Sequence, residues 1–167
     1  MITKTIRTLD AEWIRSCRYG VIETIDGRLA AVHFRPWPKL VSLVDVIWLG
    51  PRYHARTSGN RCLLYYNQPW RFPNFLALTY MVSTRDCTLA TARAGLAALE
   101  AIARLKGTDA ILCDAWNLRI SDRLLSRWGW EPHTRSRWHR NFIRRFYGSY
   151  SSASNQVVGE FAGVQRV

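Results

Sequence analysis

The sequence predicts a single α/β (α+β) domain, a mixed sheet flanked by helices, and three observations predict it. Asp26-Gly27 sits inside the β-type stretch "YGVIETIDGRLAAVHF" (19–34), and this dipeptide accepts the positive φ values of a tight hairpin turn. "TLATARAGLAALEAIARLKG" (88–107) places Leu89, Ala92, Leu96, Leu99 and Ile102/Ala103 on one helical face and stops at Gly107. Around that helix the elements alternate: strand 75–83, helix 88–107, strand 110–116, helix 121–128, then a final strand.

Each element has its own justification. "LDAEWIRSCR" (9–18) is a short helix, with Leu9, Trp13, Ile14 and Cys17 at helical spacing and Thr8 or Asp10 as its cap. The hairpin follows. The apolar run at 40–49 fits helix and strand equally, and "GPRYHARTSGN" (50–60) is a loop. "RCLLYYN" (61–67) and "FLALTYMVS" (75–83) are strands on either side of the turn "QPWRFP". "AILCDAW" (110–116) is a short buried strand. "SDRLLSRW" (121–128) is a helix that opens on a Ser-Asp cap and closes at Gly129, with Leu124 and Trp128 toward the core. "WHRNFIRRFY" (138–147) is the last strand, with Phe142 and Phe146 on one face. The remaining "GSYSSASNQVVGEFAGVQRV" is polar and aperiodic. The expected organisation is a domain over 1–147 and a disordered tail over 148–167.

Composition bounds the function. A chain of 167 residues, 48% hydrophobic, is one globular domain. The N-terminus turns polar before any apolar stretch of a signal peptide, and the run at 40–50 is broken by Asp45, far short of the ~20 residues of a membrane span. A cytoplasmic protein without a membrane partner is the expectation. The four cysteines form no C-x-x-C pair, and His133, His139 and Cys113 match no ligand spacing, so no metal is expected. A net charge of +12 points to an anionic ligand without naming one, because 21 arginines against three lysines can reflect coding bias.

The β-α-β-α-β order, after an N-terminal helix and meander, resembles the GNAT superfamily of acyl-CoA-dependent N-acyltransferases over roughly residues 60–147. The resemblance implies a largely antiparallel sheet and a cofactor, acetyl-CoA or another acyl-CoA, whose pantetheine arm lies along the backbone of Met81, Val82 and Ser83. It also implies a pyrophosphate held at the start of the main helix. The first amides of a helix lack intrahelical partners and carry partial positive charge, which suits a phosphate. The family's small-residue positions fall on Thr88, Ala90 and Ala92, none of them glycine; Cys87 holds the arginine position, and Arg85 and Arg93 stand close enough to supply charge. A strand-end Asn followed by a helix and a Gly-aromatic pair appears as Asn117 and Gly129-Trp130. In this layout Arg123, or Arg127 one turn on, meets the 3′-phosphate end. The tyrosine that protonates the leaving thiolate in many relatives is replaced by Leu124 or Leu125; Tyr80 and Tyr147 are the nearest phenols.

Function is therefore expected to be transfer of an acetyl or acyl group to the amine of a small molecule or protein. Asp114 and Glu131 are the candidate bases, and Cys87, just before a helix, is a site where the dipole can lower a thiol pKa. The rival expectation is a binding module whose cofactor turn has decayed. Residues 119–147 carry eight arginines against two acids, with tryptophans between them, which suits nucleic acid or an acidic protein. Against that rival, the tryptophans follow the apolar period well enough to be core, so nucleic acid is the less favoured partner.

Overall fold

Asp26 and Gly27 take φ values of 49° and 77°, the two successive positive values of a tight hairpin turn. The turn joins β2 (Tyr19–Ile25) to β3 (Arg28–Arg35) in the computed structural model, which describes residues 4–7, 10–38, 58–115, 120–135 and 140–150. The other elements are β1 (Lys4–Ile6), α1 (Ala11–Ser16), β4 (Arg61–Asn67), β5 (Phe75–Ser83), α2 (Leu89–Lys106), β6 (Ala110–Asp114), α3 (Asp122–Arg127), β7 (Glu131–Arg135) and β8 (Arg140–Arg145). They form a mixed α+β domain. Its eight-stranded sheet has the order β1-β3-β2-β4-β5-β6-β8-β7, antiparallel at every step except β5 to β6.

Local chemistry sets the helix ends. Asp10 caps α1 by accepting from the amides of Glu12 and Trp13; Thr88 caps α2 through Thr91 N, and Ser121 caps α3 through Leu124 N. Gly107 ends α2 in the left-handed conformation at φ 64°. The buried face of α2 holds Ala92, Leu96, Leu99, Ile102 and Ala103, whereas Leu89, expected on that face, is exposed, because the first turn buries Thr91 instead, which bonds to Asn60 and Gly27. In α3 the buried leucine is Leu125 rather than Leu124, which is half-buried; Trp128 packs against the core as expected.

The core lies between α2 and one face of the sheet. Ile22, Leu64, Leu76 and Ile111 project from four adjacent strands against Ala98, Leu99 and Ile102. Gly95 is where α2 comes closest: a Cβ there would collide with Leu64 Cδ1. Gly20 plays the corresponding part within the sheet, where a Cβ would stand 2.7 Å from the ring of the fully buried Tyr66. Arg144 of β8 crosses the same layer. Its Nε lies 2.8 Å from Glu100 Oε1 on α2, an ion pair whose angle falls short of a hydrogen bond, and its Nη1 donates to Trp128 O at the end of α3.

Four elements differ from expectation. β1 adds a three-residue edge strand paired to β3. β7 forms the opposite edge despite Pro132, a register shift between Pro132 and Arg135, and Thr134 at φ 35°, which together break the alternation a sequence reading depends on. β6 ends at Asp114 and β8 at Arg145, so Phe146 lies just past its strand, buried like Phe142. Tyr150, beyond residue 147, stacks on Phe146 with ring centroids 4.6 Å apart and donates its hydroxyl to Thr108 O. The 40–60 region lies outside the described residues up to Thr57.

At the far end of α2, Lys106 Nζ donates to Cys17 O (2.7 Å) and Gln68 Oε1 (2.9 Å), tying helix to sheet. Burial, with a smaller push from Arg18, lowers its pKa from 10.5 to about 8, while Cys17 opposes the change. Below about 8 the amine is protonated folded and unfolded, and the cost of burying the charge is fully present. Between about 8 and 10.5 the unfolded chain binds more protons, so this residue's contribution to stability rises with pH. Urea unfolding of the wild type and Lys106→Met at increasing pH should therefore show the wild type gaining on the variant through that window. Partial solvation limits the gain to the order of 1 kcal/mol. A constant difference would contradict the assignment.

Candidate functional site

β5 and β6 run parallel from Phe75↔Ala110 to Leu78↔Cys113, and there the pairing stops. β4 pairs Tyr66 with Leu78 but Tyr65 with Tyr80, so Thr79 is an extra residue, a β-bulge, with its hydroxyl bonded to Tyr65 O at 3.1 Å. A bulge bends its strand. β5 continues to Ser83 paired with β4, five residues beyond its last pair with β6. Met81, Val82 and Ser83 all lie on this segment, half-buried.

The segment leads straight into the start of α2. Thr84 N bonds to Arg61 O and Arg61 N to Thr84 Oγ1, closing the corner. Asn60 Oδ1 accepts from Thr88 N (2.8 Å) and from Thr91 Oγ1 (2.7 Å). The Thr88 amide is thus already engaged, and Ala92 N bonds within the helix to Thr88 O. Leu89 and Ala90 open the helix, so their amides have no intrahelical partner. Ala90 and Arg93 are exposed, as is Arg85 in the turn before; Ala92 is buried against the core. Of the small-residue positions, Ala90 is the one that presents an open amide outward.

Cys87 departs from expectation. Its thiol pKa is raised, not lowered, because burial outweighs the hydrogen bond from neighbouring Cys62; burial likewise pushes Cys62 and Cys113 up to about 12. These are neutral thiols. Glu131 is tied to Arg145 on the exposed outer edge, and Tyr147 lies in a turn at φ 46°, largely in solvent. Asp114 ends β6, half-buried, opposite Asn141. Tyr80 is different. It stands on the part of β5 beyond its last pair with β6, next to the bulge, its ring 6.0 Å from that of Tyr65. Arg123 and Arg127 are exposed on α3; Asn117 and Arg119 lie outside the described residues.

A polar chain not anticipated from sequence lies on the sheet face turned away from α2. Thr24 bonds to Thr91 O on α2, so by alternation Glu23 points the other way. Glu23, buried, accepts from Arg61 Nη2 at 2.7 Å and pairs with His33 Nε2 at 2.8 Å; His33 Nδ1 lies 2.9 Å from Thr5 Oγ1. Four strands contribute one residue each. Leu63 pairs with Glu23 on one side and Val82 on the other, so Glu23 stands two strand spacings, roughly 10 Å, from Val82 on the same face. The signal was available: a turn at Asp26-Gly27 brings residues 23 and 33 onto neighbouring strands.

Among the described residues, no group of three or more His, Cys, Asp or Glu side chains is placed to hold a metal ion, and no helix is long and apolar enough to cross a membrane. Compared with known proteins, the chain matches no family model and no curated sequence.

Proposed function

We propose that the chain is an acyl-CoA-dependent N-acyltransferase of the GNAT kind, acting on the amine of a small molecule or protein. The observation that carries this reading is the departure of β5 from β6 at the Thr79 bulge. Beyond it β5 runs on beside β4 to Ser83, past the last β5–β6 pair at Leu78 and Cys113, and a strand that outruns its parallel neighbour suits an extended amide-bearing arm. The open amides of Leu89 and Ala90 continue that line onto a helix N-terminus, with Arg85 and Arg93 beside it, and suit the diphosphate at the arm's far end.

In this reading the strand-end amides polarise the thioester carbonyl as the amine nitrogen attacks it. The C–N bond forms and the C–S bond breaks. Tyr80 gives its hydroxyl proton to the departing sulfur, taking the part left vacant at Leu124 and Leu125. Glu23, with His33, receives the ammonium proton through water across the intervening strand. Arg61 and His33 hold the Glu23 carboxylate oriented in the site.

Calorimetric titration of acetyl-CoA and of coenzyme A into nucleic-acid-free protein tests the reading. Micromolar binding is expected. Ala90→Glu, which places a carboxylate beside the open amides, should weaken it about 100-fold while melting at the wild-type temperature. No heat of binding up to millimolar cofactor would refute the proposal. The engaged Thr88 amide and the absent glycines would then be read as a decayed turn, and the chain as a binding module.

A further inference from the structure

We propose that the end of the sheet around Tyr19 and Trp70 binds single-stranded nucleic acid, with a base stacked on Trp70 and phosphates held by Arg18 and Arg71. This surface is separate from the acyl-transfer site and does not depend on that assignment.

Three large aromatic side chains stand in solvent here: Trp37 is 75% exposed, Trp70 73% and Phe72 59%. Register brings them to the same end of the molecule. Tyr19, the first residue of β2, is paired with Arg35 of β3 on one side and Asn67 of β4 on the other. Trp37 leaves β3 two residues on, and Trp70 and Phe72 lie in the loop that leaves β4. Rings this exposed gain nothing from burial within the fold, and their clustering marks an interaction surface.

Trp70 is held in place rather than swinging freely. Its Nε1 donates to Tyr19 Oη at 2.9 Å, and the Arg18 guanidinium lies 3.9 Å from its ring centroid. One ring face is therefore covered by a cation, and exposure leaves the opposite face to solvent, a fixed stacking platform. Arg18 Nη1 is shielded from solvent and has no acceptor among the described residues. A buried donor without a partner is costly, and a phosphate oxygen would satisfy it.

Charge selects the partner. The segments that meet at this end, 35–38 and 67–74, contain Arg35 and Arg71 and no aspartate or glutamate. Lys106 adds a further amine close enough to Arg18 for each to feel the other's charge. A polyanion is attracted here, and among polyanions only one with flat unpaired bases uses the ring faces as well as the charge. An acidic peptide would leave the rings idle. Duplex nucleic acid would hide its bases. The arginines of α3, Arg123 and Arg127, are the built-in comparison, since among the described residues of α3 no exposed large aromatic accompanies them.

The test is fluorescence anisotropy of a short labelled oligothymidylate and oligouridylate, at low and moderate salt, read together with quenching of tryptophan emission. Binding with quenching is expected. Trp70→Ala should weaken it by about tenfold or more, the worth of one stacked base, and Arg18→Ala should weaken it and flatten the salt dependence. Trp70→Phe should retain most of the affinity. The paired Arg123→Ala/Arg127→Ala variant should change it less than about threefold. The proposal is overturned if neither oligonucleotide binds. It is overturned equally if Trp70→Ala binds like wild type, or if a polyglutamate or heparin chain binds as tightly and loses nothing in that variant.

Discussion

Glu100→Ala should cost about 3–5 kcal/mol of stability, seen as a large fall in the urea midpoint with an unchanged slope. Glu100 is a buried acid on α2, and Arg144 reaches it from β8 through the core layer. Removing the carboxylate strands a guanidinium that is itself mostly buried and still fastened to Trp128 O. Little room exists for it to swing out: Gly129 sits against its Nη1, so closely that a Cβ at that position would overlap it. Removing both charges is a different experiment. Glu100→Met with Arg144→Met should recover most of the loss, because the pair's attraction does little more than offset its desolvation. A Glu100→Ala effect within 0.5 kcal/mol, the range of ordinary surface substitutions, would mean that water reaches Arg144.

Gly20→Ala should cost about 3 kcal/mol, although alanine is otherwise the better residue inside a strand. The added Cβ would stand 2.7 Å from Cε1 and Oη of Tyr66. Tyr66 is fully buried, so its ring cannot retreat without displacing Leu64 and the α2 side chains around it. Truncating the obstacle should therefore relieve the strain. In a double-mutant cycle, Gly20→Ala combined with Tyr66→Leu should lose clearly less than the sum of the separate effects. Simple additivity would show that the contact does not limit packing at this strand.

What was legible in the sequence was what local chemistry decides. Asp26-Gly27 announces its turn because few dipeptides tolerate two positive φ values, and Asp10, Ser121 and Gly107 announce helix ends because their side chains, or lack of one, serve the unpaired backbone there. The Thr79 bulge was not legible. Nothing in "FLALTYMVS" marks it, since it arises from how β5 must register with β4 while leaving β6. The tryptophans failed for a related reason. Trp128 and Trp130 are packed as their spacing implies, but Trp13, Trp37 and Trp70 are exposed, and a side chain's chemistry does not reveal whether a neighbour covers it. Glu23 and His33 could have been matched through the hairpin, whereas Arg61, from a strand far along the chain, could not.

The sheet's edges carry one more consequence. An open strand edge is a template on which another chain can add, and stacking of that kind leads toward fibrils. β1 offers only three residues at one edge, and at the other Pro132, a register shift and the reversed backbone of Thr134 spoil the straight ladder that an incoming strand requires. Both described edges of the sheet thus give a second copy of the chain little to pair with.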